Sequence, residues 1–204
     1  MKIVVAPQTF KGSLSATEVG HSMIKGIQNV IKDAKNILVP VADGGDGTLE
    51  TLVESSKGKI KSITVTGPLG ESQNADWGAL GNNKTAIIEM ARSSGLALVP
   101  STKLNPLVAT TYGLGEVILD ALNQGYRDFI IGIGGSATND AGAGMAQALG
   151  VRLLDSKGKE LDFGGSSLSK LSSIDMNGID ERIKESNFSI ACDVNNPLTG
   201  PEGA

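Results

Sequence analysis

The stretch Phe129-Ile130-Ile131-Gly132-Ile133-Gly134-Gly135-Ser136-Ala137-Thr138-Asn139-Asp140 decides how this 204-residue sequence is read. A short apolar run of β character empties into glycines, then into small hydroxyl and amide side chains, then into an alanine- and glycine-rich segment ending at Gly150. Strand, glycine turn and helix start in that order make an anion site. Glycines let the backbone approach a ligand closely, and the first N–H groups of a helix point at negative charge with the macrodipole behind them. Ser136, Thr138 and Asn139 add side-chain donors at the same place. The same residues also fit a plain tight turn in which Thr138 or Asn139 caps the next helix, so the rest of the chain has to separate the two readings.

Working outward, the pattern recurs. Residues 3–6 read as a buried strand that opens into Pro7-Gln8-Thr9-Phe10-Lys11-Gly12-Ser13. Ser15-Ala16-Thr17-Glu18 has capping-box spacing, and Val19, Met23, Ile24, Ile27, Val30 and Ile31 share one helical face. Residues 36–41 form a second strand that ends in Ala42-Asp43-Gly44-Gly45-Asp46-Gly47-Thr48, before a helix over 49–55. A third strand covers 59–66. Strands at 72–79 and 85–90 follow without intervening helices, so the sheet turns mixed or antiparallel, and 66–70 is the expected domain crossing. A helix over 112–123 closes at Gly125. The opening stretch then supplies a strand over 128–133 and a helix from about 139 to 149. Short helical pieces within 163–173 and 179–184 lead to a last strand over 188–194, with Cys192-Asp193 at its end. An open α/β protein rarely stops on a strand exit that resembles part of a site, so the sequence reads as cut short.

Composition removes several function classes. A net charge of −4 and the absence of a basic run exclude a phosphate-tracking nucleic-acid surface. The single cysteine, Cys192, excludes an internal disulfide and Cys-based metal clusters and suits a reducing cytoplasm. The single histidine, His21, falls inside a helix and reads as a surface residue, which argues against Ser-His-Asp chemistry. No apolar stretch is long enough to span a bilayer, and the run 3–7 is too short for a signal peptide core. The expected location is cytoplasmic.

Four strand exits thus carry polar, glycine-bearing loops: Lys11, Gly12 and Ser13; Asp43, Gly44, Gly45 and Asp46; Gly134, Gly135, Ser136, Thr138, Asn139 and Asp140; Asp193 and Asn196. Open α/β sheets bind ligands at the carboxyl ends of their strands. Each loop alone also fits ordinary turn or capping chemistry. Together they hold the parts of phosphoryl transfer: backbone donors and a lysine for phosphate oxygens, carboxylates for Mg²⁺ or an attacking hydroxyl, and small polar groups to orient an acceptor. A rival reading is an NAD-dependent oxidoreductase, because Gly132-x-Gly134-x-x-Ala137, with Asp155 ending the next strand, fits the loose form of the dinucleotide fingerprint. Gly44-Gly45-Asp46-Gly47-Thr48 also resembles the nucleotide loop of the diacylglycerol kinase and NAD kinase group.

Five motifs carry a more specific resemblance. They are Phe10-Lys11-Gly12-Ser13-Leu14-Ser15-Ala16, Val41-Ala42-Asp43-Gly44-Gly45-Asp46-Gly47-Thr48, Thr66-Gly67-Pro68-Leu69-Gly70, the run from Gly132 to Asp140, and Cys192-Asp193-Val194 with Asn196-Pro197-Leu198. In order and spacing they resemble the class I glycerate kinases along the whole chain. The resemblance implies ATP- and Mg²⁺-dependent phosphorylation of D-glycerate to a phosphoglycerate. It also implies two α/β domains, one flavodoxin-like and one likened to restriction endonucleases, with the active site between them. Residues 1–66 would begin the first domain, completed by a later segment, and 67–204 would belong to the second. Gln8-Thr9 stands where the family commonly has Asp-Ser, Asp46 where it has Glu, and Ala141 where it has Gly. Family members continue past this point, so the expectation for the chain by itself is an incomplete site with little activity, or a non-catalytic fragment. Residue chemistry assigns Lys11 to the transferring phosphate. It assigns residues 136–139 to phosphate or the glycerate carboxylate, and Asp43 and Asp193 to metal binding and hydroxyl activation.

Overall fold

The computed structural model of the chain describes residues 1–10, 13–42, 44–45, 47–192, 194–195, 197, 199–201 and 203. β1 (Lys2–Val5) and β2 (Lys35–Leu38) pair in parallel and are joined through α1 (Ala16–Val30). The capping box begins α1 as its spacing predicts: the Glu18 N–H donates to Ser15 Oγ, and the Glu18 carboxylate accepts from the Ser15 N–H. The apolar face of α1 is only partly covered. Val19 is buried but Val30 is 83% exposed, because a two-stranded sheet offers a fifteen-residue helix little surface to pack on.

α2 (Thr48–Ser56) leads into the main sheet, which is built from β3 (Lys59–Thr66), β4 (Ser72–Ala79), β5 (Thr85–Glu89), β6 (Asp128–Gly132) and a last strand at Asn187–Ala191. β3, β4 and β5 are successively antiparallel, whereas β5, β6 and the last strand run parallel. β3 pairs with β4 along its full length, so residues 67–70 are the hairpin turn between them. The change of sheet falls earlier in the chain than 66–70, between β2 and β3.

The centre of the sheet is buried on both faces, and alternation along β5 shows how. Ile87 packs with Leu49 and Val53 of α2, while Ile88 faces the opposite core with Leu114, Val117, Ile118 and Leu122 of α4 (Tyr112–Asn123). Gly78 lets α2 lie close, since a Cβ there would stand 2.3 Å from Val53 Cγ2. Trp77 anchors the α4 side. It is fully buried, donates its indole N–H to Asp120, meets Tyr126 edge-on at 5.3 Å and carries the Lys61 ammonium over its ring.

After β6 the chain forms α5 (Ala143–Ala148), shorter than the helix expected over 139–149. Ala141 and Gly142 both adopt positive φ, +53° and +74°, and two consecutive left-handed residues cannot continue a right-handed helix. A short α3 (Ala91–Ser94) follows β5, and β7 (Arg152–Leu154) pairs antiparallel with β8 (Ser173–Asp175). The last strand, Asn187–Ala191, is therefore β9. It stacks Phe188 on Phe129 of β6 at 4.8 Å. No helix among the described residues is long and apolar enough to cross a membrane.

Candidate functional site

Parallel pairing brings the carboxyl ends of β5, β6 and β9 to one edge, where Glu89, Gly132 and Ala191 stand side by side in register. On this row lies the loop after β2. A Cβ on Gly132 would stand 2.5 Å from the Gly44 carbonyl oxygen, a Cβ on Gly44 would stand 2.6 Å from the Ala191 oxygen, and a Cβ on Gly134 would touch Gly45 at 3.3 Å. These approaches exist only because 44 and 132 carry no side chain, and Gly44 also holds φ at +88°. The loop after β1 joins from the other side: a Cβ on Gly47 would stand 2.5 Å from Thr9 Oγ1. Among the described residues, the loops after β2 and β6 and the end of β9 therefore meet backbone to backbone, and the Thr9 side chain reaches Gly47.

Among the expected site residues, the structure places Gly44, Gly45 and Gly134 at this junction, with Gly134, Gly135 and Asn139 exposed and the Gly135 carbonyl accepting from the Leu96 N–H. Ser136 and Thr138 share a hydrogen bond of 2.7 Å between their hydroxyls, and the Thr138 N–H donates to Ser136 Oγ at 3.0 Å, so the two form one local turn. Ser13 is exposed next to the bridge between Phe10 and Leu14. Lys11, Gly12, Asp43, Asp46, Asp193 and Asn196 lie outside the described residues.

Asp140 lies elsewhere. It is 1% exposed, and its Oδ2 accepts from the Thr111 N–H and hydroxyl at 2.9 Å and from the Gly144 N–H at 3.1 Å, while Oδ1 accepts from the Gly142 N–H. The Met145 N–H donates to Thr111 Oγ1. The first turn of α5 already holds an anion, the carboxylate of its own chain, so the helix N-terminus expected to face a ligand is engaged internally. The dinucleotide reading also fails here. A dinucleotide unit needs the next strand parallel in the same sheet, but β7 pairs antiparallel with β8 in a separate sheet, and the neighbours of β6 are β5 and β9. Asp155 is a turn former, accepting from the Lys157 and Lys159 N–H groups, and those bonds hold its carboxyl below the usual range.

Two cavities flank the junction. One, about 520 Å³, lies between the starts of α1 and α2 and is lined by Thr9, Ser15, Thr17, Gly47, Glu50 and Arg92 among others; Thr17 donates to Glu54 across it at 2.7 Å. The other, about 690 Å³, is walled by apolar side chains from Met90 to Ile190. Its one acid, Asp140, is committed to the helix starts.

Sequence reasoning missed the acid beside the junction. Glu89 closes the apolar strand Thr85–Glu89 and is 4% exposed. Its Oε1 accepts from the Leu49 N–H at 2.9 Å, and its Oε2 pairs with Arg92 Nε at 2.8 Å. Arg92 also pairs with Glu50 and reaches Asp76 at 3.7 Å; burial lowers the affinity of its guanidinium for the proton, but Glu89 and Glu50 outweigh that and hold it above its ordinary value. The signal was a charged residue ending an otherwise buried strand.

Fold and junction together define a mixed-sheet α/β protein whose cleft is assembled at strand exits by glycine backbones. The chain belongs to the glycerate kinase family, whose sequence model matches residues 3–204. It is 54% identical to the glycerate 2-kinase of Escherichia coli (strain K12) over 204 residues, covering all of this chain and 54% of that protein. It is likewise 54% identical to the glycerate kinase of Bacillus subtilis (strain 168), covering 53% of it. The crystal structure of a putative glycerate kinase 2 from Salmonella typhimurium LT2 matches with a TM-score of 0.91 at 50% identity, over all of this chain and 55% of that one. The chain spans about half the length of the curated relatives it matches.

Proposed function

We propose that the protein carrying this chain transfers the γ-phosphoryl group of ATP to a hydroxyl of D-glycerate, giving a phosphoglycerate and ADP. The observation that supports this reading is the backbone convergence of the loops after β2 and β6 with the end of β9, because these segments carry or adjoin motifs on which the family resemblance rests. Phosphoryl transfer asks a protein for positioning and charge stabilisation more than for covalent chemistry. Exposed Gly134 and Gly135 let phosphate oxygens approach the main chain, and Ser136, Thr138 and Asn139 orient the small polar acceptor or its carboxylate. Lys11 neutralises the transferring phosphate. One of Asp43 and Asp193 takes the proton of the attacking hydroxyl as the new O–P bond forms and ADP leaves.

The donor chemistry fits Mg²⁺. Two isolated carboxylates, flanked in sequence by Gly44 and Cys192, suit an ion that takes one or two protein ligands plus phosphate oxygens and water, and Gly44 lies on Ala191 at the end of β9. Asp43 and Asp193 would hold it, and the ion would supply charge neutralisation at the phosphates.

The test is ADP release with Mg-ATP and D-glycerate, run beside the Bacillus subtilis relative as a positive control, with isothermal titration of each ligand. Release that depends on glycerate, or binding of both ligands by the chain, supports the reading. It is overturned by release indifferent to glycerate, or by a chain that binds neither ligand while the control turns over.

A further inference from the structure

We propose that Glu89 is a positioning residue that sets the distance between the two glycine loops of the cleft; its effect on turnover rests on the phosphoryl-transfer reading, whereas its effect on loop order does not. The argument starts from a helix with no cap of its own. α2 begins directly after the loop at 43–47, and its N-cap, Gly47, has no side chain to offer. The Leu49 N–H is instead satisfied from another element, by Glu89 at the end of β5. This bond is buried and charge-assisted, which makes it the strong kind.

Glu89 is also fixed to the second loop through its own backbone. It stands in register beside Gly132, and the segment that follows it holds residues 132–137 at three points. The Met90 N–H donates to the Gly132 carbonyl, the Leu96 N–H to the Gly135 carbonyl, and the Ala137 N–H to the Ser94 carbonyl, at 2.8–2.9 Å. One residue therefore grips the helix start that follows one glycine loop by its side chain, while its strand exit grips the other loop. Arg92 aims the Glu89 carboxylate through its Nε, and by pairing with Glu50 it ties the first turn of α2 a second time. Both Glu89 oxygens are occupied, so the residue acts through the loops and not on the substrate.

Amide hydrogen exchange on the purified protein tests this, with Glu89→Ala, the near-isosteric Glu89→Met and Glu89→Gln. Loss of one charge-assisted bond should accelerate exchange at residues 44–51 about tenfold in Glu89→Ala and Glu89→Met. The β3–β4 hairpin should keep its protection. Glu89→Gln, whose amide oxygen can still accept from Leu49, should recover most of it. If the protein turns over glycerate, kcat should fall about tenfold or more in the first two variants, with KM for glycerate less affected. Unchanged exchange at 44–51, or loss spread equally to β3–β4, overturns the proposal, as does failure of both Ala and Met variants to fold. If turnover is absent from the wild type, the functional reading fails and the exchange result still decides the role of Glu89.

Discussion

At the scale of single residues, Asp140 shows how a side chain with the composition of a ligand site can be part of the scaffold. Its carboxylate accepts four hydrogen bonds and joins the start of α4 to the start of α5. Replacing it with Asn keeps the shape but turns one acceptor into a donor facing a buried N–H. Asp140→Asn should lower unfolding free energy by about 2 kcal/mol and Asp140→Ala by roughly 3 kcal/mol or more, since each buried donor left unpaired costs about 1–3 kcal/mol. Urea titrations will check this, and a change below about 0.5 kcal/mol in both would refute the bridging role. The reason the sequence did not reveal this is physical. Thr111, the partner, is distant in the chain, and Asp followed by small residues looks the same whether its partner is a ligand or another loop. Ala141 is a related case: it takes φ +53°, where Gly carries no Cβ penalty.

At the scale of elements, local signals were legible where neighbours in sequence supply the stabilising contact. The capping box at Ser15 and Glu18, the strands over 59–66 and 72–79, and the helix over 112–123 each match their expected bounds or caps. Ser15→Ala should cost about 1 kcal/mol of stability. The Ser15 N–H and hydroxyl hold the Glu18 carboxyl below its ordinary value of 4.5. A depressed folded value means that this contribution is fully present above pH 4.5 and is lost as pH falls through the lower folded value. Glu18→Gln should therefore flatten the acid limb of a plot of urea midpoint against pH; an unaltered limb would place the acid sensitivity elsewhere. What the element scale hid was cross-chain capping. Gly47 announces a helix start with nothing to cap it, and only the folded sheet reveals that Glu89 does so.

At the scale of the whole molecule, the cleft depends on contacts between segments far apart in sequence. Gly44 lies on Ala191, which is far along the chain from it, while β3 and β4 are neighbours joined by a tight turn. Loop-closure entropy favours the hairpin first and the parallel β6–β9 pairing later. Pulse-labelled refolding should show β3–β4 amides protected before those of β9, and simultaneous protection would argue for a single concerted step. That the strand exits carry the polar loops was legible from sequence. Which of them touch was not, because contact here is made by the absence of side chains, and an absent group carries no pairing information. The fully buried Trp77, the only tryptophan in the chain, gives the molecule a built-in optical reporter. Its ring is engaged with Tyr126, Lys61 and Asp120 in the core against α4, so its emission follows the melting of that core. A change in that emission when a nucleotide is added would be a signature of movement carried from the strand exits into the sheet.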